Sequence, residues 1–202
     1  MRYYELNGIQ YERISTILSA YTPQGLIDWQ VKNGKKECDR ILRETSKIGT
    51  RLHKLIEKYF KNGSYKLKKS DPIEVINVSN AFERFVHDYE LKMTNVEETV
   101  YSAEWGVAGT YDFMGTVFDV PYLLDWKTSG RISQSYWIQL HAYAYMKFEG
   151  KVPDDLMLGV VRFDKINGDY EFCTMRYISS YLIIFLSLRN IYMFNKEKEN
   201  DD

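Results

Sequence analysis

Three residues in the stretch Val107–Lys127, VAGTYDFMGTVFDVPYLLDWK, have the types and spacing to hold a metal ion and use it: Asp112, Asp125 and Lys127. Tyr122–Thr128 reads as a β-strand, because apolar, aromatic and β-branched residues follow a turn at Pro121. Side chains alternate along a strand, so Asp125 and Lys127 share one face while Leu124 and Trp126 point into packing. A carboxylate and an ammonium on an otherwise buried strand are costly unless they serve each other or a bound ion. Upstream, Ala108–Thr116 reads as a second strand, with Phe118-Asp119-Val120-Pro121 as the hairpin turn. Folding that hairpin can bring Asp112 alongside Asp125. Converging carboxylates repel, and a hard divalent cation relieves that repulsion and makes use of it.

The elements that must position these residues lie on both sides. Glu37–Lys61 reads as a helix or a pair of helices, with Ile48, Leu52, Leu55, Ile56, Tyr59 and Phe60 as its buried stripe and Asn62-Gly63 as its end. His53 and Glu57 share a face of it four residues apart, which an ordinary i,i+4 pair would also explain. Gly49, one turn before His53, allows another element to approach closely. Ile73–Met93 reads as an amphipathic helix whose His87 is structural, and Val96–Ala103 as a strand leading into the hairpin. Beyond the hairpin, Thr128-Ser129-Gly130-Arg131 is a polar turn. Ser133 then caps a helix, Gln134–Phe148, with Gln139 and Tyr143 on one face and His141 off it. Leu156–Phe163 and Tyr170–Tyr177 read as strands joined through Asn167-Gly168, and Ile178–Phe194 as a terminal helix. Near the start, Tyr11–Leu18 and a segment from Leu26 to Asn33 read as short helices, with Ser15 or Thr16 as a cap. Lys61–Ser70 is basic; it could track a phosphate backbone, but a solvated linker is the favoured reading.

Taken in order, these residues resemble the PD-(D/E)xK nuclease superfamily. Gly109-Thr110-Tyr111-Asp112, then Asp125-Trp126-Lys127 thirteen residues on, is similar to its D…(D/E)xK signature, and the local wording resembles the RecB-like exonuclease branch, which includes phage-type and mitochondrial single-strand exonucleases. Gly49-Thr50-Arg51-Leu52-His53-Lys54-Leu55-Ile56-Glu57 resembles that branch's GTxxHxxxE segment, and Gln139-Leu140-His141-Ala142-Tyr143 its QLxxY segment. ISTILSAYTPQGLIDW resembles the N-terminal segment of the same exonucleases; Ser15 and Thr16 there either pack or touch substrate. The resemblance implies an α/β fold with a restriction-endonuclease-like core, a central mixed β-sheet flanked by helices. It implies Mg²⁺ or Mn²⁺ held by Asp112, Asp125, His53 and a backbone carbonyl at Trp126, the imidazole suiting Mn²⁺. Lys127 would orient or deprotonate a water, Glu57 would bind a second metal or a metal water, and Gln139 would position the helix and the substrate phosphate. Substrate contacts are expected from Ser15, Thr16, Thr50, Thr128, Ser129, Arg131 and Tyr143.

Composition bounds the rest. At 202 residues with a net charge of −1, the chain has no global basic footprint, so a polyanion must meet a local patch. Cys38 and Cys173 cannot build the four-cysteine cluster that some RecB-like nucleases carry. No apolar run has the length of a membrane span and no leader is evident, so the expected location is the cytoplasm of a bacterial or phage-infected cell. One nuclease domain is expected over residues 1–195, with a helical lead-in over 1–36 and a disordered polar tail over 196–202. The expected activity is metal-dependent exonucleolysis of DNA, single-stranded or from duplex ends, in recombination, repair or replication. A structure-specific endonuclease and a non-catalytic nucleic-acid-binding module are the alternatives, and a homo-oligomer or a recombination partner protein is left open.

Overall fold

The computed structural model describes residues 3–201, the last three of them by backbone alone. The described chain opens with a hairpin, β1 (Tyr3–Leu6) and β2 (Ile9–Arg13). Its turn residues, Asn7 and Gly8, have φ of 53° and 75°, the paired left-handed turn whose twist matches that of the strands. The helical lead-in expected over 1–36 is therefore corrected: Asn7-Gly8 is a hairpin signal, and helix begins only at α1 (Ile14–Leu18). Arg13 occupies the N-cap of α1 without a side-chain cap bond, so Ser15 and Thr16 sit inside the helix. α2 (Gln24–Asn33) follows and buries none of its side chains.

One continuous helix, α3 (Lys35–Asn62), carries His53 and ends at Gly63 with φ of 72°. α4 (Ile73–Asp88) stops short of Met93, because Leu91 already begins β3 (Leu91–Ser102). β4 (Val107–Val117) and β5 (Val120–Lys127) form the central hairpin. Only Phe118 and Asp119, at φ of 47° and 63°, make its turn. Val120 and Pro121, expected in that turn, pair with Val117 and Thr116. The β5–β6 ladder starts at Tyr122, so the missing proline N–H breaks no bond there.

α5 (Gln134–Lys147) starts at Ser133, whose Oγ accepts the Ser135 N–H at 3.3 Å. β6 (Met157–Phe163), β7 (Tyr170–Arg176) and α6 (Ser179–Asp201) complete the described chain. α6 runs on through most of the segment expected to be a disordered tail. Its Lys and Glu residues are good helix formers, and Lys196 pairs with the buried Glu12, tying the helix to β2. Met1, Arg2 and Asp202 lie outside the described residues.

The strands form a seven-stranded mixed sheet in the order β1-β2-β4-β5-β6-β7, with β3 also paired to β4. The pairs β2–β4 and β5–β6 are parallel and the others antiparallel. Helices cover both faces. Leu52, Ile56, Phe82, Phe85, Phe113, Leu124, Trp126 and Phe163 fill the side under α3 and α4. Ile14, Tyr111, Leu123, Leu140, Val160 and Phe185 fill the side under α1, α5 and α6. This is the α/β architecture expected from the sequence, a central mixed sheet flanked by helices.

One topological detail places the site. β3 pairs along the length of β4, from Val117 to Val107. The opposite edge of β4 is shared: β2 takes Val107 and Ala108, and β5 takes Phe113 to Val117. Gly109–Asp112 lie in the fork between them. A carboxylate placed there can reach both the hairpin partner and the helices above it.

Candidate metal centre

Asp112 stands where β4 changes sides. Tyr111 packs in the core under α5 and Phe113 in the core under α3 and α4, although regular alternation would put two residues of the same parity on one face. At that crossover the Asp112 Oδ2 accepts the Trp126 N–H at 2.6 Å. Thus a side chain takes the β5 donor that lies just past the last paired rung, Phe113–Leu124. The other oxygen, Oδ1, is 3.3 Å from the His53 Nδ1. That nitrogen is also 3.1 Å from the Glu97 Oε1.

On β5, Leu124 and Trp126 enter the α3–α4 core, while Asp125 and Lys127 face α5, as alternation predicts. The Lys127 Nζ is 2.6 Å from the Asp125 Oδ2. The approach lacks hydrogen-bond geometry, so this buried oxygen has charge beside it but no donor. Lys127 also donates to the Gln139 Oε1 at 3.4 Å and lies 4.9 Å from the centre of the Tyr136 ring. Gln139 in turn donates to the Tyr143 hydroxyl at 2.8 Å. The Tyr143 ring fills the space that a β-carbon on Gly109 would need, only 2.5 Å from its Cε1. A glycine at this point of β4 lets α5 come close enough for its Gln139 to meet Lys127.

The charges within the cluster act on one another in both directions. Burial alone would lower the His53 pKa, but the Asp112 charge and the hydrogen bond with Glu97 raise it to about 10. Asp112 is penalised by burial, yet His53, Lys127 and the Trp126 N–H hold its carboxyl below the usual range. Asp125 is pushed up to about 7, by burial first and the Asp112 charge second, against the pull of Lys127. Lys127 also loses solvation, but Asp125 and Asp112 keep its ammonium above the ordinary lysine value. Burial and both carboxylates carry the Tyr143 hydroxyl well above the usual tyrosine value.

Two clefts open on this cluster and share Ser15 and Gln139. One, of about 320 Å³, is lined by Tyr4, Arg13, Glu97, Thr110 and Tyr143 among others. The second, of about 540 Å³, takes in Lys127, Ser129, Arg131, Tyr136 and Leu42. Ser15, Ser129, Arg131 and Tyr143, all expected at the substrate, therefore border the centre. Thr128 is buried next to Gly49 and accepts Lys165 at its carbonyl. Thr16 and Thr50 line neither cleft. Glu57 is drawn away: it pairs with Lys61 at 2.6 Å on a half-exposed face and is not among the clustered ligand atoms. Four-residue spacing put Glu57 beside His53, but the helix turns it toward Lys61 one turn on. From Trp126, the group that reaches Asp112 is the backbone N–H.

No motif or spacing in the sequence singles out Glu97. Alternation over Val96–Ala103, VEETVYSA, predicts only a strand, yet two adjacent glutamates, Glu97 and Glu98, break that alternation. In the structure Glu98 goes under α5 to Lys147 and Tyr111, and Glu97 goes to His53.

The residues present fit a divalent cation. Ligand atoms of His53, Glu97 and Asp112 all lie within 4.8 Å of one another, and the buried Asp125 Oδ2 has no hydrogen-bond donor. Mixed imidazole and carboxylate donors can serve such an ion. Among the described residues, no helix is long and apolar enough to cross a membrane.

No protein-family model matches the chain, and no curated protein matches its sequence. Among solved structures it is similar to an alkaline exonuclease, LHK-Exo, from Laribacter hongkongensis. That match has 12% identity and a TM-score of 0.47, covering 94% of this chain and 89% of the other. A candidate exonuclease from Eubacterium rectale matches at 12% identity and a TM-score of 0.47, covering 75% and 65%. LHK-Exo in complex with dAMP matches at 13% identity and a TM-score of 0.44, covering 75% and 80%.

Proposed function

We propose that this chain is a metal-dependent deoxyribonuclease of the RecB-like PD-(D/E)xK kind, an exonuclease that hydrolyses DNA from its ends with Mg²⁺ or Mn²⁺. The observation that carries this reading is that Asp112, Asp125, Lys127, Gln139 and His53, spread over 87 positions of sequence (53 to 139), meet in one fork of the sheet. The pattern found in the sequence is thus matched by proximity, which chance spacing does not supply. On this reading residues 1–195 act as one nuclease domain serving recombination, repair or replication.

Asp112, Asp125 and His53 would hold the cation. When bound, it supplies a water of lowered pKa and positive charge for the phosphate oxygens. Lys127, fixed between Asp125 and Gln139, orients the attacking water and offsets the negative charge that grows on the phosphate. Gln139 holds the ammonium in place, and Tyr143 holds Gln139. Tyr136 under Lys127 limits water on that side. Ser15, Ser129 and the exposed guanidinium of Arg131 line the larger cleft beside Lys127, where they can take the phosphates of the strand being cut.

The test uses linear and covalently closed circular single-stranded DNA with linear duplex, each with Mn²⁺, Mg²⁺ or chelator. Metal-dependent release of short products from the linear substrates alone is the expected result. Cutting of the closed circle would replace the exonuclease by an endonuclease on the same site, and binding without cleavage would indicate a non-catalytic module.

A further inference from the structure

The clustered ligand atoms include one that the sequence pattern does not supply. We infer that Glu97 is a direct ligand of the cation, so that the centre is built on β3 as well as on α3, β4 and β5. The inference rests on the nuclease reading of the same site and adds to it a residue and a donor set.

Three observations carry it. First, Glu97 and Asp112 fall opposite each other. The β3–β4 ladder pairs Val96 with Phe113 and Glu98 with Tyr111, and Glu97 and Asp112 are the two residues left between those rungs. Side chains directly opposite in an antiparallel pair share a face at close range, and like charges there are destabilising. Two carboxylates kept in that relation call for positive charge between them, from the His53 imidazolium or from a bound cation. Second, both residues leave regular strand geometry to meet. Glu97 has φ of 52°, which non-glycine residues rarely adopt. Asp112 sits at the point where β4 changes sides. Third, the His53 Nδ1 is held by both, 3.1 Å from the Glu97 Oε1 and 3.3 Å from the Asp112 Oδ1. The three ligand atoms therefore converge on one point, and the neighbouring Asp125 Oδ2 is buried without a donor. Glu97 also lines the smaller cleft beside Gln139 and Tyr143, so a hydrated ion can reach it from solvent.

A bland alternative exists for the same contacts. Glu97 could simply share the imidazole proton with Asp112 and brace α3 against the sheet. The two accounts differ in what removal of the carboxylate moves. A bracing residue changes thermal stability with or without metal, whereas a ligand changes the affinity for the ion.

The experiment is a Mn²⁺ titration without DNA, followed by calorimetry and by the electron paramagnetic resonance signal of free Mn²⁺. It compares the wild type, Glu97→Gln, Glu97→Ala and, as a control, Lys92→Ala. Glu97→Gln keeps size and a hydrogen-bonding oxygen, so it serves where Glu97→Ala fails to fold. The expected result is at least a tenfold weaker Mn²⁺ affinity for Glu97→Gln, with Lys92→Ala, which removes an exposed ion pair with Asp119 away from the cluster, binding as tightly as wild type. Wild-type affinity in Glu97→Gln, with only its melting temperature changed, would overturn the assignment and leave the nuclease reading in place. No Mn²⁺ binding by the wild type would overturn both.

Discussion

The contact between Gly109 and Tyr143 allows the most exacting test, because it links the β4 backbone to the face of α5 that carries Gln139. A β-carbon at position 109 would stand 2.5 Å from the Tyr143 Cε1, 3.1 Å from its hydroxyl oxygen and 3.2 Å from Cζ. The intruded ring is rigid and buried, so it must shift as a body. Overpacking of this kind costs about 2 kcal/mol, within the usual range of about 1–3. For a chain of this length that lowers Tm by about 4–8 °C. The Tyr143 hydroxyl carries Gln139, and Gln139 accepts from Lys127, so a displacement on the order of 1 Å reaches the ammonium. Misplacement on that scale costs roughly 10²-fold in turnover. The assay is a melt of Gly109→Ala with single-turnover cleavage rates, each repeated in a Tyr143→Leu background. With the ring removed, the added stability cost of Gly109→Ala should shrink to under about 1 kcal/mol, since the two positions are coupled through contact. A wild-type melt and rate for Gly109→Ala, or an undiminished cost in the Tyr143→Leu background, would refute the reasoning.

Further expectations follow from other parts of the molecule. Arg51 binds both oxygens of Asp71, at 2.9 and 2.7 Å, and this pairing with the Lys68 N–H lowers the Asp71 pKa to about 2 against the opposing effect of burial. A depressed carboxylate stabilises the fold above its unfolded pKa near 4 and loses that contribution as pH falls through about 2. Arg51→Ala should therefore be less stable than wild type by on the order of 1 kcal/mol at pH 6, with the gap closing below pH 4 in urea titrations. Saturating Mn²⁺ at a hundred times its dissociation constant should stabilise the wild type by about 2.7 kcal/mol, read as a raised Tm. Asp112→Ala should show no such rise, and a wild-type melt indifferent to Mn²⁺ and chelator would count against the metal centre. Gly115→Ala should fail to fold or lose more than about 3 kcal/mol, because its β-carbon would fall 2.1 Å from the Lys92 carbonyl oxygen on β3; circular dichroism and soluble yield report it.

Much of the fold was legible because its signals were local. The alternation around Asp125 and Lys127, the Gly63 stop of α3 and the Ser133 cap of α5 each act within a few residues. Pairing of Asp112 with the β5 region followed from a hairpin, the shortest long-range contact a chain can make. Where the reading failed, a tertiary partner decided. The β1–β2 hairpin had its Asn7-Gly8 signal, but its strands are short and β2 is held by the edge of β4. α6 continues past Phe194 because Glu12, at the other end of the chain, holds Lys196. Glu97 could not be found from spacing, since its place beside His53 depends on the β3–β4 register and on a left-handed backbone angle. Glu57 shows the reverse: helical spacing made it a plausible neighbour of His53, but the geometry gave it to Lys61.

The central claim is that the Asp112–Asp125–Lys127 fork cleaves DNA with a bound divalent cation. Its most direct test is incubation of wild type and Lys127→Ala with end-labelled linear DNA, with and without Mn²⁺. Release of short products by the wild type only when Mn²⁺ is present is the expected result, with none from Lys127→Ala even though it stays folded and still binds Mn²⁺. Cleavage by Lys127→Ala at the wild-type rate, or cleavage by the wild type in excess chelator, would contradict it.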